Sequence, residues 1–494
     1  MDSTHGHVRP DRRADEMSGI DEPSDEPVWV EPGPSRAGAD IRGSSAQVHN
    51  LVVVGAACSG KSRLLSEVAS RVPSEWQLMQ PPSTPRTDVW RRLSRPTIDV
   101  SHWENVWRIL IVGSYLSFAN VHQHLLDEED RQRLRSVMTT LPLGDPHSVR
   151  HPYTVMTELS SGLRSASGSE LTNGKEADWL RAERVTGDLA PLLPPVVIII
   201  DHLDNYFDNH PSEMAEVQGG LVALIAHNDR QRWIPRNVRL LAAVRRSTLD
   251  FLRKNGVPNL STAACIKEIV WDLGSLERLF LQRLRGSDGR PRTMRWLVRP
   301  VGQDGQVRSS AQRRIDQLLQ HTSLVAGDVD KLAGVLCEKR DFVGRQLTAD
   351  EFEEGISSTA IDILNALAHN TVSDLRSLSV SRGFARQPSV ETNDEQDQLR
   401  RQLITSISAM DKDTFTPSEA ARMLEAFPDS LRFLILEALW RSRLVARVEG
   451  NRWLYSRTYS DRLGPAWTLA GWNPVLAEEC KLTPTWEEIS VGYV

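Results

Sequence analysis

Apolar residues in this chain fall into two patterns. Some form short unbroken runs: LVVVG at 51–55 and PPVVIII at 194–200. Runs of that length, rich in β-branched residues, predict buried strands. Their lack of alternation predicts strands covered on both faces, as in a parallel sheet. VRLLAAVRR (238–246) and IKEIVWDLG (266–274) predict a third and a fourth strand. Elsewhere apolar residues recur at helical spacing. Leu64, Leu65, Val68 and Val72 mark a helix over 61–72, Trp103, Val106, Trp107 and Leu110 share a face within 102–126, and SLERLFLQRL (275–284) forms another helix. Strands alternating with helices indicate an α/β domain built on a parallel sheet. Residues 76–190 are mostly polar with helical pieces, and 159–178 have the composition of a loop.

The flanks read differently. Residues 1–47 are rich in Pro, Gly, Ser, Asp and Glu, and so little apolar surface cannot offset the entropy of ordering, which predicts a disordered tail. After the core at 48–284 come a basic, Gly-containing insertion (285–310), a helical unit (311–373) and a polar linker (374–399). A small helical unit ending in a hairpin (400–460) and a Trp-bearing acidic tail (461–494) follow. The formal net charge of -6 argues against a protein that coats nucleic acid generally. Cys58, Cys265, Cys337 and Cys480 are far apart and form no CxxC pair, so a reducing, cytoplasmic setting is expected rather than a zinc site or disulfide framework. The chain opens without an apolar signal-peptide core, and no run reaches the ~18 apolar residues of a membrane span.

Chemistry enters at the end of the first strand. Residues 55–62 read Gly55, Ala56, Ala57, Cys58, Ser59, Gly60, Lys61, Ser62, a full match to G-x-x-x-x-G-K-[ST] between a strand and a helix. The glycines let the backbone curl so that its N–H groups point at phosphates, and the helix N-terminus adds its positive dipole end. Lys61 is expected to bridge the β- and γ-phosphates, and Ser62 to hold Mg²⁺ through its hydroxyl. The expected ligand is a nucleoside triphosphate, taken to be ATP, with Mg²⁺. The second metal ligand should be an acid at the end of a neighbouring strand, and the aliphatic run of VVIIIDHLD (196–204) supplies Asp201. Arg245 and Arg246 close the third strand, where one of them either senses the γ-phosphate or belongs to a solvated turn. Arg86 and Arg91 are candidates for an arginine finger.

Together the 55–62 loop, the strand ending in Asp201, the strand ending in Arg245 and the WDLGSLERLFLQRL step at 271–284 resemble STAND and origin-recognition-type AAA+ ATPases. GDVDKLAGVL (327–336) and QLTADEFEEGI (346–356) are similar to helices of their lid, and 400–460 is similar to their winged-helix domain. The resemblance implies a P-loop NTPase sheet flanked by helices, then a helical lid and a winged helix. Two positions depart from it. His202 stands where the family has an acid that polarises the attacking water, and an imidazole is the weaker local base for that geometry; Asp204 lies two residues on. Asp330, beside Lys331, stands where the lid has an arginine for the γ-phosphate, and would repel phosphate unless turned away. The expectation is a nucleotide-gated regulatory switch, in bacterial defence or signalling by resemblance, that hydrolyses slowly.

In the C-terminal unit, TPSEAARMLEAF (416–427) opens with a Thr cap and a Pro, PDSLRFLILEALWRSRLV (428–445) is the next helix, and LVARVEGNRWLYSR (444–457) reads as a wing. Arg432, Arg441 and Arg443 on that helix, and Arg447, Arg452 and Arg457 on the wing, are the residues available to DNA. A protein-docking or purely structural module is the other reading of this unit, and a protein partner or self-association is expected for the chain. Arginines around Trp296 in the insertion have the interleaving that grips a nucleic-acid strand, or form a solvated loop. Two further classes therefore stay open beside the switch: a DNA-associated loader or mobile-element helper, and a small-molecule kinase.

Overall fold

Valine and isoleucine favour extended backbone because of their branched Cβ, and their runs line up here in one sheet. The computed structural model describes residues 50–82, 100–141, 143, 148–162, 176–203, 211–231, 234–254, 265–269, 271, 273–299, 315, 319, 325–359, 362–363, 398–399, 401–403, 405–406, 414–427, 432, 435–436, 439–440, 445–449, 452–454 and 479–482. Its core strands are β1 (Leu51–Gly55), β2 (Gln77–Met79), β3 (Val196–Ile200), β4 (Val238–Arg245) and β5 (Ile266–Glu268). All pair in parallel, in the order β2-β3-β4-β1-β5.

The helices of the core are α1 (Lys61–Ser70), α2 (Val100–Val121), α3 (Glu128–Thr140), α4 (Pro152–Gly162), α5 (Glu176–Leu189), α6 (Pro211–Gln231), α7 (Arg246–Lys254) and α8 (Leu273–Arg283). A short α9 (Met294–Leu297), α10 (Ala326–Val343) and α11 (349–359) follow. Alternation along the strands separates two apolar layers. Val52, Val54, Val196, Ile198, Ile200, Leu240 and Val244 belong to the layer shared with α2, α4, α5 and α6. Leu51, Val53, Val197, Ile199, Leu241 and Ala243 belong to the opposite layer, with α1, α8, α10 and α11. Both faces are therefore dry, which is why these strands carry no polar alternation.

One helix lies deeper than its sequence pattern indicates. α2 buries Trp103, Val106, Trp107 and Leu110 as read, but almost every residue from Ile109 to Asn120 is buried too. Its outer side is closed by α6, where Gly220 brings the backbones together. A Cβ on Gly220 would lie 2.5 Å from the Trp103 carbonyl carbon and 2.6 Å from the Glu104 nitrogen. Trp107 Nε1 donates to the Val217 carbonyl at 2.8 Å, so the largest buried ring also has its polar atom satisfied.

Several boundaries move. β2 lies within 76–190, where only helical pieces were expected. The loop expected over 159–178 is helical at both ends, in α4 and α5. The fourth strand stops at Glu268, and α8 begins at Leu273. Residues 285–299, read as an insertion, pack against the helical unit: Met294, Leu297 and Val298 are buried, and Leu347 N donates to the Leu297 carbonyl. The Trp296 ring lies under the guanidinium of Arg340, 4.3 Å from its centroid, and within 5.7 Å of that of Arg292.

The C-terminal residues form a separate sheet of β6 (Thr414–Phe415), β7 (Val445–Glu449), β8 (Arg452–Leu454) and β9 (Glu479–Leu482), in the order β6-β9-β7-β8. β9 lies in the stretch read as tail. α12 (Pro417–Met423) is held by a capping box, Thr416 with Glu419, and by Pro417 in its first turn. The hairpin of β7 and β8 is antiparallel, as the wing spacing predicts. Among the described residues no helix is long and apolar enough to cross a membrane.

Candidate functional site

The 55–62 loop joins β1 to α1 through left-handed backbone at two positions, Cys58 (φ 57) and Gly60 (φ 92). Gly60 is the N-cap of α1, and the helix has neither a side-chain cap nor an acid in its first turn. The start of α3 differs. α3 spends Asp127 as its N-cap and places Glu128, Glu129 and Asp130 in its first turn. An uncapped N-terminus leaves amide donors and a positive dipole end to whatever enters the loop. Lys61 folds its ammonium back into the loop, donating to the carbonyls of Ala56 (2.8 Å) and Gly55 (3.3 Å), and is itself buried. Gly55 must lack a side chain because the buried Ser59 hydroxyl lies 2.3 Å from where its Cβ would be. Ser62 is exposed at the start of α1.

Two contacts from distant segments hold the outer side of the loop. Trp271 Nε1 donates to the Ser59 carbonyl at 2.8 Å, and the Gly327 amide at the start of α10 donates to the Cys58 carbonyl at 2.9 Å. A trans peptide puts its C=O and N–H on opposite sides. Drawing the Ser59 carbonyl toward Trp271 therefore turns the Gly60 N–H the other way. Gly327 has no room for a side chain, since a Cβ would meet that of Cys58 at 2.6 Å. Cys58 itself is exposed.

Asp201 follows β3 directly. β4 intervenes between β3 and β1, so the acid is two strands from the loop rather than one, roughly 10 Å at the usual strand spacing. Continuing the alternation of Val197 and Ile199 places Asp201 toward the layer that holds α1, and that of Leu241 and Ala243 does the same for Arg245. Arg245 lies in register with Gly55. It is buried, and its amide donates to Gln218 Oε1 at 2.8 Å. Arg246 is also buried and pairs with Glu268 on β5, so the solvated turn is not what forms here.

Asp201 is nine-tenths buried, and its Oδ1 accepts the His202 amide at 2.7 Å. His202 is left-handed (φ 61), half exposed, with Nε2 3.7 Å from Asp201 Oδ2. His202 and Cys58 are the two non-glycine residues with positive φ among the described residues. Such backbone costs on the order of 1 kcal/mol or more and gathers at functional sites. Histidine tolerates it better than most residues, which gives a backbone reason for His rather than Glu after the acid.

Two further residues beside the end of β3, His151 and Tyr153, carry no sequence motif. Nothing marks H-P-Y at 151–153 except the Pro that starts α4. His151 Nδ1 accepts the Tyr153 amide at 3.2 Å, so the imidazole is neutral and its Nε2–H donates to the Ile199 carbonyl at 2.7 Å. Tyr153 Oη donates to the Asp201 carbonyl at 2.7 Å. Burial depresses the His151 pKa from 6.5 to about 4. The unfolded chain then takes up this proton first, so stability present above pH ~6.5 falls as pH drops toward 4, by about 3 kcal/mol at most. Chemical denaturation at pH 7 and pH 4.5 should show this component in the wild type, and His151→Gln should lose it.

Asp330, on α10, is engaged by a cation. Asp330 Oδ1 and Oδ2 accept from Arg283 Nε (2.5 Å) and Nη2 (3.2 Å), and Lys331 pairs with Asp362 at 3.0 Å. Arg63, next to Ser62, feels this pair: burial and then the Arg283 charge lower its pKa, while Asp330 raises it. In the C-terminal unit Arg432 is folded onto its own chain, its Nε donating to the Leu424 and Phe427 carbonyls at 2.9 and 2.8 Å. Asp204, Arg86, Arg91, Arg441, Arg443 and Arg457 lie outside the described residues. No protein-family model matches the chain, and no curated protein matches it either.

Proposed function

We propose that the chain binds ATP with Mg²⁺ in the 55–62 loop and acts as a slowly hydrolysing, nucleotide-gated switch of the STAND and origin-recognition type. The observation that carries this reading is the loop itself. An uncapped helix N-terminus, a left-handed Gly60 and an inward-folded Lys61 ammonium stand together above a parallel sheet that carries a buried carboxylate at a nearby strand end. Donors and dipole suit a polyphosphate. The metal donors, the Ser62 hydroxyl and the Asp201 carboxylate, are hard oxygens of the kind Mg²⁺ prefers. Among the described residues no group of three or more His, Cys, Asp or Glu is placed to hold a metal unaided, so the phosphates would complete its ligands.

Bound Mg²⁺ would neutralise charge on the phosphates. The chain's own part is to orient them with the loop amides, to add the Lys61 charge, and to hold Asp201 at the strand end. The residue directly after Asp201 is an imidazole and not a strong base. His202 turns toward Asp201, and Asp330 is tied to Arg283, so neither serves as the family's catalytic acid or lid arginine. The Cys58–Gly327 bond gives nucleotide a direct path to the helical unit, which fits a gate better than a rapid hydrolase. The DNA-associated reading loses support where Arg432 and Trp296 are engaged inside the fold. The C-terminal unit is then best read as a winged helix that docks protein.

Nucleotide binding and turnover, measured on the wild type beside His202→Glu, test this reading. Wild type should bind Mg-ATP and hydrolyse it slowly. The Glu variant should turn over roughly tenfold faster or more, since a positioned base contributes about 10²–10⁴, despite some cost from Glu in left-handed backbone. An equal rate removes His202 as the cause, and absence of any Mg²⁺-dependent nucleotide affinity rejects the function.

A further inference from the structure

We propose that Tyr153 is a positioning residue that sets the orientation of the Asp201 carboxylate toward metal. The inference rests on Asp201 being a magnesium ligand. It begins at the edge of the sheet. β2 pairs with β3 only from Val196 to Ile198 and then ends at Met79. β4 continues to pair with β3 through Ile200 on the other side. The carbonyls of Ile199 and Asp201, two residues apart, point to the same side of an extended chain. Beyond Met79 no strand among the described residues meets them. Two side chains, also two residues apart, take that place: His151 Nε2 at 2.7 Å from the Ile199 oxygen and Tyr153 Oη at 2.7 Å from the Asp201 oxygen. The start of α4 thus substitutes for the missing end of β2.

The second of these bonds acts on the carboxylate through one peptide plane. A trans peptide holds the Asp201 carbonyl and the His202 N–H on opposite sides. Tyr153 takes the carbonyl, so the amide faces away from it, and there Asp201 Oδ1 accepts it at 2.7 Å. One carboxylate oxygen is thereby fixed, and the rotamer of the acid with it. His202, which follows this plane, is left-handed. Without the phenol hydroxyl this peptide can rotate, and the carboxylate loses its reference point while the ring still packs beside Trp107 and His151.

The test is ATP affinity of the full chain by calorimetry, in saturating Mg²⁺ and in EDTA, for wild type, Tyr153→Phe, His151→Gln and Asp201→Asn, each with a melting curve. Wild type should bind more tightly with Mg²⁺ than without it, and Asp201→Asn should lose that gain. Tyr153→Phe should lose roughly five- to tenfold of the gain, with EDTA affinity within about twofold of wild type. His151→Gln should melt earlier yet keep most of the gain, which separates aiming of the acid from general loosening of the strand end. The proposal is overturned if Tyr153→Phe keeps the full gain, if its affinities fall together in Mg²⁺ and EDTA, or if His151→Gln loses the gain equally. If Asp201→Asn keeps the gain, the metal role of Asp201 fails first and the proposal with it, a result recognisable from that variant alone.

Discussion

Lys61→Ala is expected to weaken ATP binding by roughly 100-fold while leaving the fold at least as stable as the wild type. Charge-assisted hydrogen bonds are worth about 1.5–3 kcal/mol each, and about 2–3 kcal/mol corresponds to roughly 30- to 150-fold in affinity. The stability side follows from burial. The Lys61 ammonium is held in the loop by two backbone carbonyls, Gly55 and Ala56, in a side chain that is only 8% exposed. Keeping a charge there carries a desolvation cost that folding alone does not require. Alanine is also a strong helix former at the start of α1. A binding residue that costs stability is the usual trade at a functional site. Calorimetric titration with Mg-ATP and a thermal melt check both halves. Affinity within threefold of wild type would show that the ammonium does not meet phosphate.

Gly220→Ala is expected to be among the most damaging single-methyl changes in the core. The added Cβ would lie 2.5 Å from both the carbonyl carbon and the Cβ of Trp103, and 2.6 Å from the Glu104 nitrogen. Two of these three atoms belong to backbone and cannot rotate aside. α2 and α6 must separate, and α2 is buried along most of its length. Overpacking of this kind costs about 1–3 kcal/mol and sometimes more. At the upper end the melting temperature falls by about 6–12 °C for a domain of this size. Gly187→Ala in α5 is the matched control. Nothing lies within 4 Å of its Cβ, so the same methyl should stabilise by about 0.5–1 kcal/mol through helix propensity. Equal melting temperatures for the two variants would mean that α2 and α6 are not packed as described.

The parts of the fold that were legible in the sequence are those where a local run carries the whole signal. β1, β3 and β4 are unbroken β-branched or aliphatic stretches because the sheet is dry on both faces. β2 escapes notice because it is three residues long, with Gln77 and Leu78 exposed. The loop and Asp201 were readable for the same local reason, a glycine-bounded motif between strand and helix and an acid ending an aliphatic run. Their settings were not. Trp271 reaches Ser59 across 212 positions, and Arg283 pairs with Asp330 across 47. His151 and Tyr153 acquire meaning only because β2 stops short of the end of β3.

The central claim, that a polyphosphate sits against the amides of residues 56–63, is tested most directly by hydrogen exchange of that segment with and without Mg-ATP. Exchange at Gly60, Lys61 and Ser62 should slow at least tenfold when nucleotide is present, and the Lys61→Ala variant should show little change at the same concentration. Unaltered exchange in the loop of a wild-type protein saturated with nucleotide would contradict the account, because the ligand would then be held elsewhere.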